Sequence, residues 1–269
     1  MSSLIRVVKA EEWRRVCRGL RVQTGSLGLV PTMGALHEGH LSLVRRSRKE
    51  NGSTVVSIFV NPAQFDDPRD LEAYPQPLEH DLAVLEREGV DAVFLPTRQV
   101  LYPDDYTYRV SETALSHELC GAYRPGHFGG VLTVVLKLLL LTGADRAYFG
   151  EKDYQQYLLV EGLVRAFFLE TQIVPCPLVR EADGLALSSR NVRLTPEGRS
   201  KAPAFNRILR QYADTEEARR ALIESGFAVD YVEDRPDLGD GRRLAAVHLD
   251  GVRLIDNVPL SEIGTGIGK

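Results

Sequence analysis

The sequence predicts an α/β fold, a doubly wound parallel sheet covered by helices, with a smaller α+β unit behind it. Three observations carry this reading. Short apolar runs at Ser26 to Pro31, Thr54 to Val60, Asp91 to Leu95, Arg146 to Phe149 and Ile173 to Val179 alternate with segments of helical periodicity. Parallel strands need crossover helices, and right-handed crossovers place ligands beyond the carboxyl ends of the strands. Chemistry-bearing segments follow the first, second and fourth runs, which is where such a sheet collects them. Finally, 269 residues with 43% hydrophobic and 26% charged side chains suffice for one large or two smaller packed domains.

The first run, Ser26 to Val30, reads as a buried strand, and Pro31 to His40 closes it and opens a helix with Leu41 and Val44 inward. Gly34 and Gly39 let backbone approach a ligand, and unpaired amides at a helix start, with the helix dipole, favour a phosphate. His37 and His40 add neutralising charge there. Their spacing also suits metal chelation or plain helix capping, but Cys17, Cys120 and Cys176 are scattered singly and no nearby Cys or His completes a metal set.

The second run leads into Asn61 to Phe65, and the fourth ends at Phe149-Gly150-Glu151-Lys152-Asp153-Tyr154-Gln155-Gln156. Gly150 permits a tight approach, and Tyr157, Val160, Val164 and Phe167 give the following helix its apolar stripe. A cation at a helix start opposes the dipole unless an anion offsets it, so Lys152 reads as a phosphate ligand. Asp153 suits either a helix cap or contact with a ribose or metal, and Gln155 and Gln156 are by type ordinary surface residues. After the fifth run, Val179 to Asn191 combines an Asp183-Gly184 turn with Ser188, Ser189 and Arg190, donors that suit a phosphate chain.

Beyond about Pro175 the pattern changes. A helix is predicted over Pro196 to Tyr212 and another over Thr215 to Ser225, with strands at Val229 to Glu233, Ala245 to Leu249 and Val252 to Ile255. Ser225-Gly226 and Asp250-Gly251 are turn signals, and the polar stretch Arg235 to Arg243 reads as a loop. The expected division is 1–175 and 176–269. A net charge of −4 without a basic stripe gives no support to a nucleic-acid or anionic-membrane partner, leaving small molecules. Met1 to Val8 lacks a long apolar run, and Val131 to Leu141 is short and contains Lys137, so cytoplasmic residence is the expectation.

Together, Pro31 to His40, Ile58 to Phe65, Arg124 to Phe128, Phe149 to Gln156 and Arg180 to Asn191 resemble the pantothenate synthetase (pantoate–β-alanine ligase) family, with looser likeness at Asp230 to Val232 and Arg253 to Asn257. The resemblance implies a Rossmann-like nucleotide-binding domain with a His-x-Gly-His motif, a small C-terminal lid and a homodimer. It also implies condensation of pantoate with β-alanine, using ATP and Mg²⁺, through a pantoyl adenylate. On that resemblance Met33, Gly34, Ala35, Leu36, His37, Glu38, Gly39 and His40 cradle ATP together with Gly150, Glu151, Lys152 and Asp153. Val179 contacts the nucleotide, and Leu187, Ser188, Ser189 and Arg190 reach over its phosphates. His37, His40, Lys152, Ser188, Ser189 and Arg190 are the catalytic set, His40 being the family's proposed proton donor. Gln64 and Gln156 hold pantoate, Gln64 also bordering β-alanine. Relatives often carry an acidic pair where this chain has His80-Asp81, which leaves Asp81 as the expected Mg²⁺-side carboxylate. The same motifs leave open an adenylyltransferase or a noncatalytic nucleotide-binding module.

Overall fold

The computed structural model describes residues 3–264. In chain order the first part runs β1 (Ile5–Val7), α1 (Ala10–Thr24), β2 (Leu27–Thr32), α2 (Glu38–Glu50), β3 (Ser53–Ile58), α3 (Pro68–Glu72) and α4 (Leu78–Arg87). It continues through β4 (Ala92–Phe94), α5 (Arg98–Leu101), α6 (Cys120–Tyr123), α7 (His127–Thr142), β5 (Arg146–Gly150), α8 (Tyr154–Ala166) and β6 (Gln172–Cys176). The remainder is α9 (Pro196–Lys201), α10 (Ala204–Gln211), α11 (Thr215–Glu224), β7 (Ala228–Arg235), β8 (Arg242–Leu249) and β9 (Val252–Pro259).

The first six strands form one parallel sheet in the order β1-β4-β3-β2-β5-β6. Its strands alternate between two cores, as the two-residue strand period requires. Leu27, Leu29, Val55, Phe94, Ala147 and Ile173 face one core with Trp13 and α7, while Val30, Val56, Val93, Tyr148 and Val174 face the other with Leu43, Val44 and Leu85. Trp13 is fully buried, stacks on Phe94 at 4.9 Å and donates its indole N–H to Thr142 at 3.0 Å, so its one polar atom is satisfied. From β2 the chain winds through β3 to β4, then returns to place β5 on the other side of β2. β2 and β5 pair only at Gly28 and Leu29, so beyond those residues the strands part and a crevice opens at their carboxyl ends.

The last three strands form a separate antiparallel sheet, β7-β8-β9, with its own core of Phe205, Leu209, Leu222, Phe227, Val247 and Val258. Three sequence expectations need correction; β1 lies outside them, because three residues with one buried side chain carry no periodicity. The helix expected over Pro196 to Tyr212 is two helices, since Pro203 has no N–H to continue the ladder. The predicted C-terminal strands are longer, reaching 228–235, 242–249 and 252–259. The expected loop over Arg235 to Arg243 accordingly shrinks to 236–241, because Arg243 is a strand residue buried with its charge satisfied. Its guanidinium binds both Asp234 oxygens at 2.7 and 2.9 Å and donates to the carbonyls of Leu209, Tyr212 and Ala213.

One close approach ties the fold to the crevice. A Cβ built at Gly130 on α7 would lie 2.1 Å from the Ala63 carbonyl oxygen, in the 3₁₀ turn Pro62–Gln64 that carries Gln64. Gly130→Ala should therefore force helix and turn apart and cost about 1–3 kcal/mol. Urea unfolding checks this, and an unchanged midpoint would show that the contact is soft.

Candidate active site

The crevice is a cavity walled by the segments at the ends of four strands and by α7. Met33, His37, Gly39 and His40 come from the region after β2, and Phe59, Gln64 and Phe65 from that after β3. Gly150 ends β5 and Lys152, Asp153 and Gln156 follow it, and Val179 with Leu187, Ser188, Ser189 and Arg190 follows β6. Val131, Val134, Val135 and Leu138 of α7 supply an apolar wall. The structure thus brings together most of the sequence-predicted site residues.

Between β2 and α2 the chain turns through Gly34 and Ala35, both with positive φ, at +82° and +50°. Their conformation leaves backbone amides pointing into the protein, and the carboxylate of Asp81 on α4 receives them. Its Oδ2 accepts from the Ala35 N–H and its Oδ1 from the Leu36 N–H, both at 2.8 Å. Asp81 is 1% exposed and does not line the central cavity. The expected Mg²⁺ role for Asp81 is therefore corrected: both oxygens are committed to shaping the loop. Leu36 belongs to the core beneath, and Glu38 faces outward to pair with Arg45, so neither lines the cavity.

The two histidines cap α2 reciprocally. His37 Nδ1 accepts from the Gly39 N–H at 3.2 Å, and His40 Nδ1 accepts from the His37 N–H at 3.3 Å. With Nδ1 accepting in both rings, the proton of each neutral imidazole sits on Nε2. Burial, then the positive charge of Lys152, lowers His37 to about 4. Burial, His37 and Lys152 lower His40 to about 3. The expectation that these histidines contribute positive charge is thus corrected for the free enzyme: at neutral pH they are uncharged N–H donors. Their structural and ligand-binding readings are compatible, because capping uses one nitrogen and leaves the other.

Lys152 lies in a 3₁₀ turn, Glu151–Asp153, just ahead of α8. The C-terminal sheet holds this turn. Asn257 of β9 donates its amide to the carbonyls of Glu151 and Lys152 at 2.8 and 3.1 Å, and the Glu151 side chain pairs with Arg242 at 3.2 Å rather than facing the cavity. Asp153 makes no side-chain cap for α8 and stands 3.8 Å from the Lys152 ammonium, which removes the capping alternative. On the far wall the Leu187 N–H donates to the Val179 carbonyl at 3.1 Å, closing the loop around Asp183-Gly184 and setting Val179 beside Leu187. Ser188 Oγ accepts from the Arg190 N–H at 3.2 Å, and Ser189 Oγ meets the Tyr74 hydroxyl at 3.1 Å.

Several neighbours had no assigned role in the sequence. Asn61, 1% exposed, donates its amide to Gln64 Oε1 at 3.0 Å and accepts from the Tyr102 hydroxyl at 2.8 Å. Engaging Oε1 fixes the Gln64 amide and leaves its NH₂ as the unpaired end. The Asn-Pro pair after the second strand is a turn signal that could have drawn attention to Asn61. His127 Nδ1–H donates to the Gln64 carbonyl at 2.7 Å while its Nε2 accepts from Arg124 at 3.2 Å. Burial, then the Arg124 charge, lowers His127 to about 3. Gln155, expected at the surface, is 4% exposed and bonds the backbone of Leu115, Glu118 and Cys120.

The profile of the pantoate-beta-alanine ligase family matches residues 6–259. The chain belongs to this family. It is 53% identical over 250 residues to a pantothenate synthetase of Bdellovibrio bacteriovorus, covering 93% of this chain and 96% of the relative. It is 47% identical to one of Coxiella burnetii, covering 96% and 98%. Among solved structures, pantothenate synthetase from Thermus thermophilus superposes with a TM-score of 0.89 at 41% identity, covering 96% of this chain and 99% of that one. Pantoate-beta-alanine ligase from Francisella tularensis, solved in complex with beta-gamma ATP and beta-alanine, gives 0.89 at 40% identity, covering 96% and 98%. Membership makes the chain a ligase enzyme and agrees with the α/β architecture.

The depressed histidines predict a pH dependence of stability. Unfolded chains protonate them near 6.5, the folded chain only near 3 for His127, so their stabilisation is complete above 6.5 and is lost as pH falls toward 3. Each fully buried histidine contributes a slope of up to about 1.4 kcal/mol per pH unit. His127→Gln should flatten the loss between pH 6.5 and 5 by about 2 kcal/mol relative to wild type, measured by urea unfolding. Equal slopes in the two proteins would contradict the assignment.

Proposed function

We propose that this ligase activates pantoate with ATP and then joins it to β-alanine, giving pantothenate, AMP and pyrophosphate. One observation carries the reading: Lys152, Arg190 and the Nε2–H groups of His37 and His40 share a single cavity with the amides of Gln64 and Gln156. The first group suits a polyphosphate and the second a small hydroxy acid, because amides donate to a carboxylate and exchange hydrogen bonds with hydroxyls.

In the first step a pantoate carboxylate oxygen attacks the α-phosphorus, the bond to the bridging oxygen breaks, and pyrophosphate leaves with the electron pair. Lys152 and Arg190 offset the charge that builds on the phosphorus oxygens and leaving group, with His37 and His40 donating from Nε2. Met33 and the Gly150 to Asp153 turn border the nucleotide, Val179 and Leu187 contact it, and Ser188 and Ser189 add neutral hydrogen bonds. In the second step the β-alanine amine attacks the acyl carbon of the pantoyl adenylate beside Gln64. The C–O bond breaks, AMP departs, and the amine proton passes to solvent. The mixed anhydride makes a good leaving group of what was a poor one, so the residues need only position and stabilise.

Mg²⁺ enters this proposal with the nucleotide. Among the described residues no group of three or more His, Cys, Asp or Glu side chains gathers to hold a metal. Magnesium keeps several waters and takes phosphate oxygens, needing only one or two carboxylates. Asp153 fits that requirement, and the ion would screen phosphate charge during attack. The reading also takes the 176–269 unit as a lid, since its Ser188 to Arg190 segment faces the cavity, and the chain as a cytoplasmic homodimer, as the family resemblance implies. Among the described residues no helix is long and apolar enough to cross a membrane.

The test is pantoate-dependent exchange of labelled pyrophosphate into ATP with β-alanine omitted. Wild type should exchange, and Lys152→Ala should lose at least about a hundredfold. Absence of exchange in folded wild type would reject the adenylate route. Replacing Gln64 and Gln156 together should abolish pantoate-dependent turnover while nucleotide binding, followed by calorimetry, survives. Unchanged turnover would reject the pantoate site.

A further inference from the structure

Arg190 does not hang free in the cavity wall. Its Nη2 donates to Asp70 Oδ2 at 2.8 Å and its Nε to Asp70 Oδ1 at 3.4 Å, while Arg193 Nη1 donates to the same Oδ1. Asp70 lies on α3, in the sheet-bearing part of the chain, whereas both arginines follow β6. The Arg190 guanidinium also lies over the Tyr74 ring, 5.6 Å from its centre, and the Tyr74 hydroxyl meets Ser189. All three charged side chains are about one-quarter exposed or less.

This arrangement has two consequences. A guanidinium offers its donors along fixed edges of a plane, so a carboxylate on the Nε–Nη2 edge sets that plane and leaves Nη1 unengaged by Asp70. Rotamer freedom that an arginine otherwise loses on gripping a ligand is lost beforehand. In addition, one carboxylate is shared between two guanidiniums, so the trio keeps a net charge of +1. Arg193 holds part of the Asp70 charge, and Arg190 retains its attraction for an anion.

We propose that Asp70 is a positioning residue for the ligation reaction: clasped between Arg190 and Arg193, it aims the Arg190 guanidinium at the phosphates of ATP. Asp70 does not line the central cavity and acts through Arg190. The inference rests on the reading of Arg190 as a phosphate ligand, and the experiment separates the two.

Steady-state kinetics and pyrophosphate exchange are measured for wild type, Asp70→Asn, Asp70→Glu, Arg190→Ala and the Asp70→Asn/Arg190→Ala double variant. Circular dichroism and thermal unfolding report the folded fraction of each. Asp70→Asn should raise KM for ATP about tenfold and depress exchange, leave KM for β-alanine unchanged, and be partly rescued by Asp70→Glu. Once Arg190 is absent, Asp70→Asn should add nothing to the KM for ATP. Additive effects overturn the inference, as does an Asp70→Asn enzyme with lowered stability but unchanged KM for ATP in the folded fraction. A lower KM for ATP overturns it too, because Asp70 would then compete with the phosphates. If Arg190→Ala itself leaves KM for ATP unchanged, the reading of Arg190 as a phosphate ligand fails, and this inference falls with it.

Discussion

The cavity depends on one buried carboxylate. The chain leaves β2 through two consecutive residues of positive φ, Gly34 and Ala35, and their turn aims the amides of Ala35 and Leu36 inward, the first half-buried and the second buried. Unpaired, each would carry a desolvation cost of about 1–3 kcal/mol. Asp81 accepts both, and in doing so fixes where α2 begins and where His37 and His40 stand. The carboxylate is itself drawn toward its neutral form by burial, against the pull of the two amides. A residue that looks in sequence like a metal ligand is thus the support under the loop.

Above that support, charge is distributed unevenly. The two histidines cap a helix and are neutral when no ligand is present, because burial and Lys152 both oppose protonation. Lys152 and Arg190, two of the cations that line the cavity with Arg124, are each steered by a part of the chain remote in sequence. Asn257 grips the turn carrying Lys152, and Asp70 grips Arg190. At the other end Tyr102 orients Asn61 and Asn61 orients Gln64, so a chain of hydrogen bonds carries precision from the core to an amide at the cavity wall.

How much of this was legible follows the range of the interactions. Strands with several apolar residues on two faces announced themselves, and the segments behind them held the cavity residues Met33, His37, Gln64, Lys152, Val179 and Arg190. A three-residue edge strand such as β1 has no pattern to read. Arg242 and Arg243 looked like loop because their charges are answered by Asp240, Glu151 and Asp234, partners that only the folded chain supplies. Asp81 was misread for the same reason: a carboxylate that binds a metal and one that binds amides are identical letters. Gln155 and Gln156 are adjacent and alike, yet the helix turns one into the protein and the other toward the cavity. Strand order, too, lies outside any local signal.

The bond from Asn257 to the Lys152 turn also orders events in time. A ribosome that has added Cys176 has synthesised every strand of the parallel sheet, with α7 and α8 that cover it. The Lys152 turn still lacks its amide partner, and 81 residues must be added after Cys176 to reach Asn257. At a synthesis rate of about 5–20 residues per second, those residues take several seconds to arrive. Every strand of the parallel sheet thus precedes in synthesis the residue that completes the Lys152 turn, and the cavity is finished only when β9 has docked.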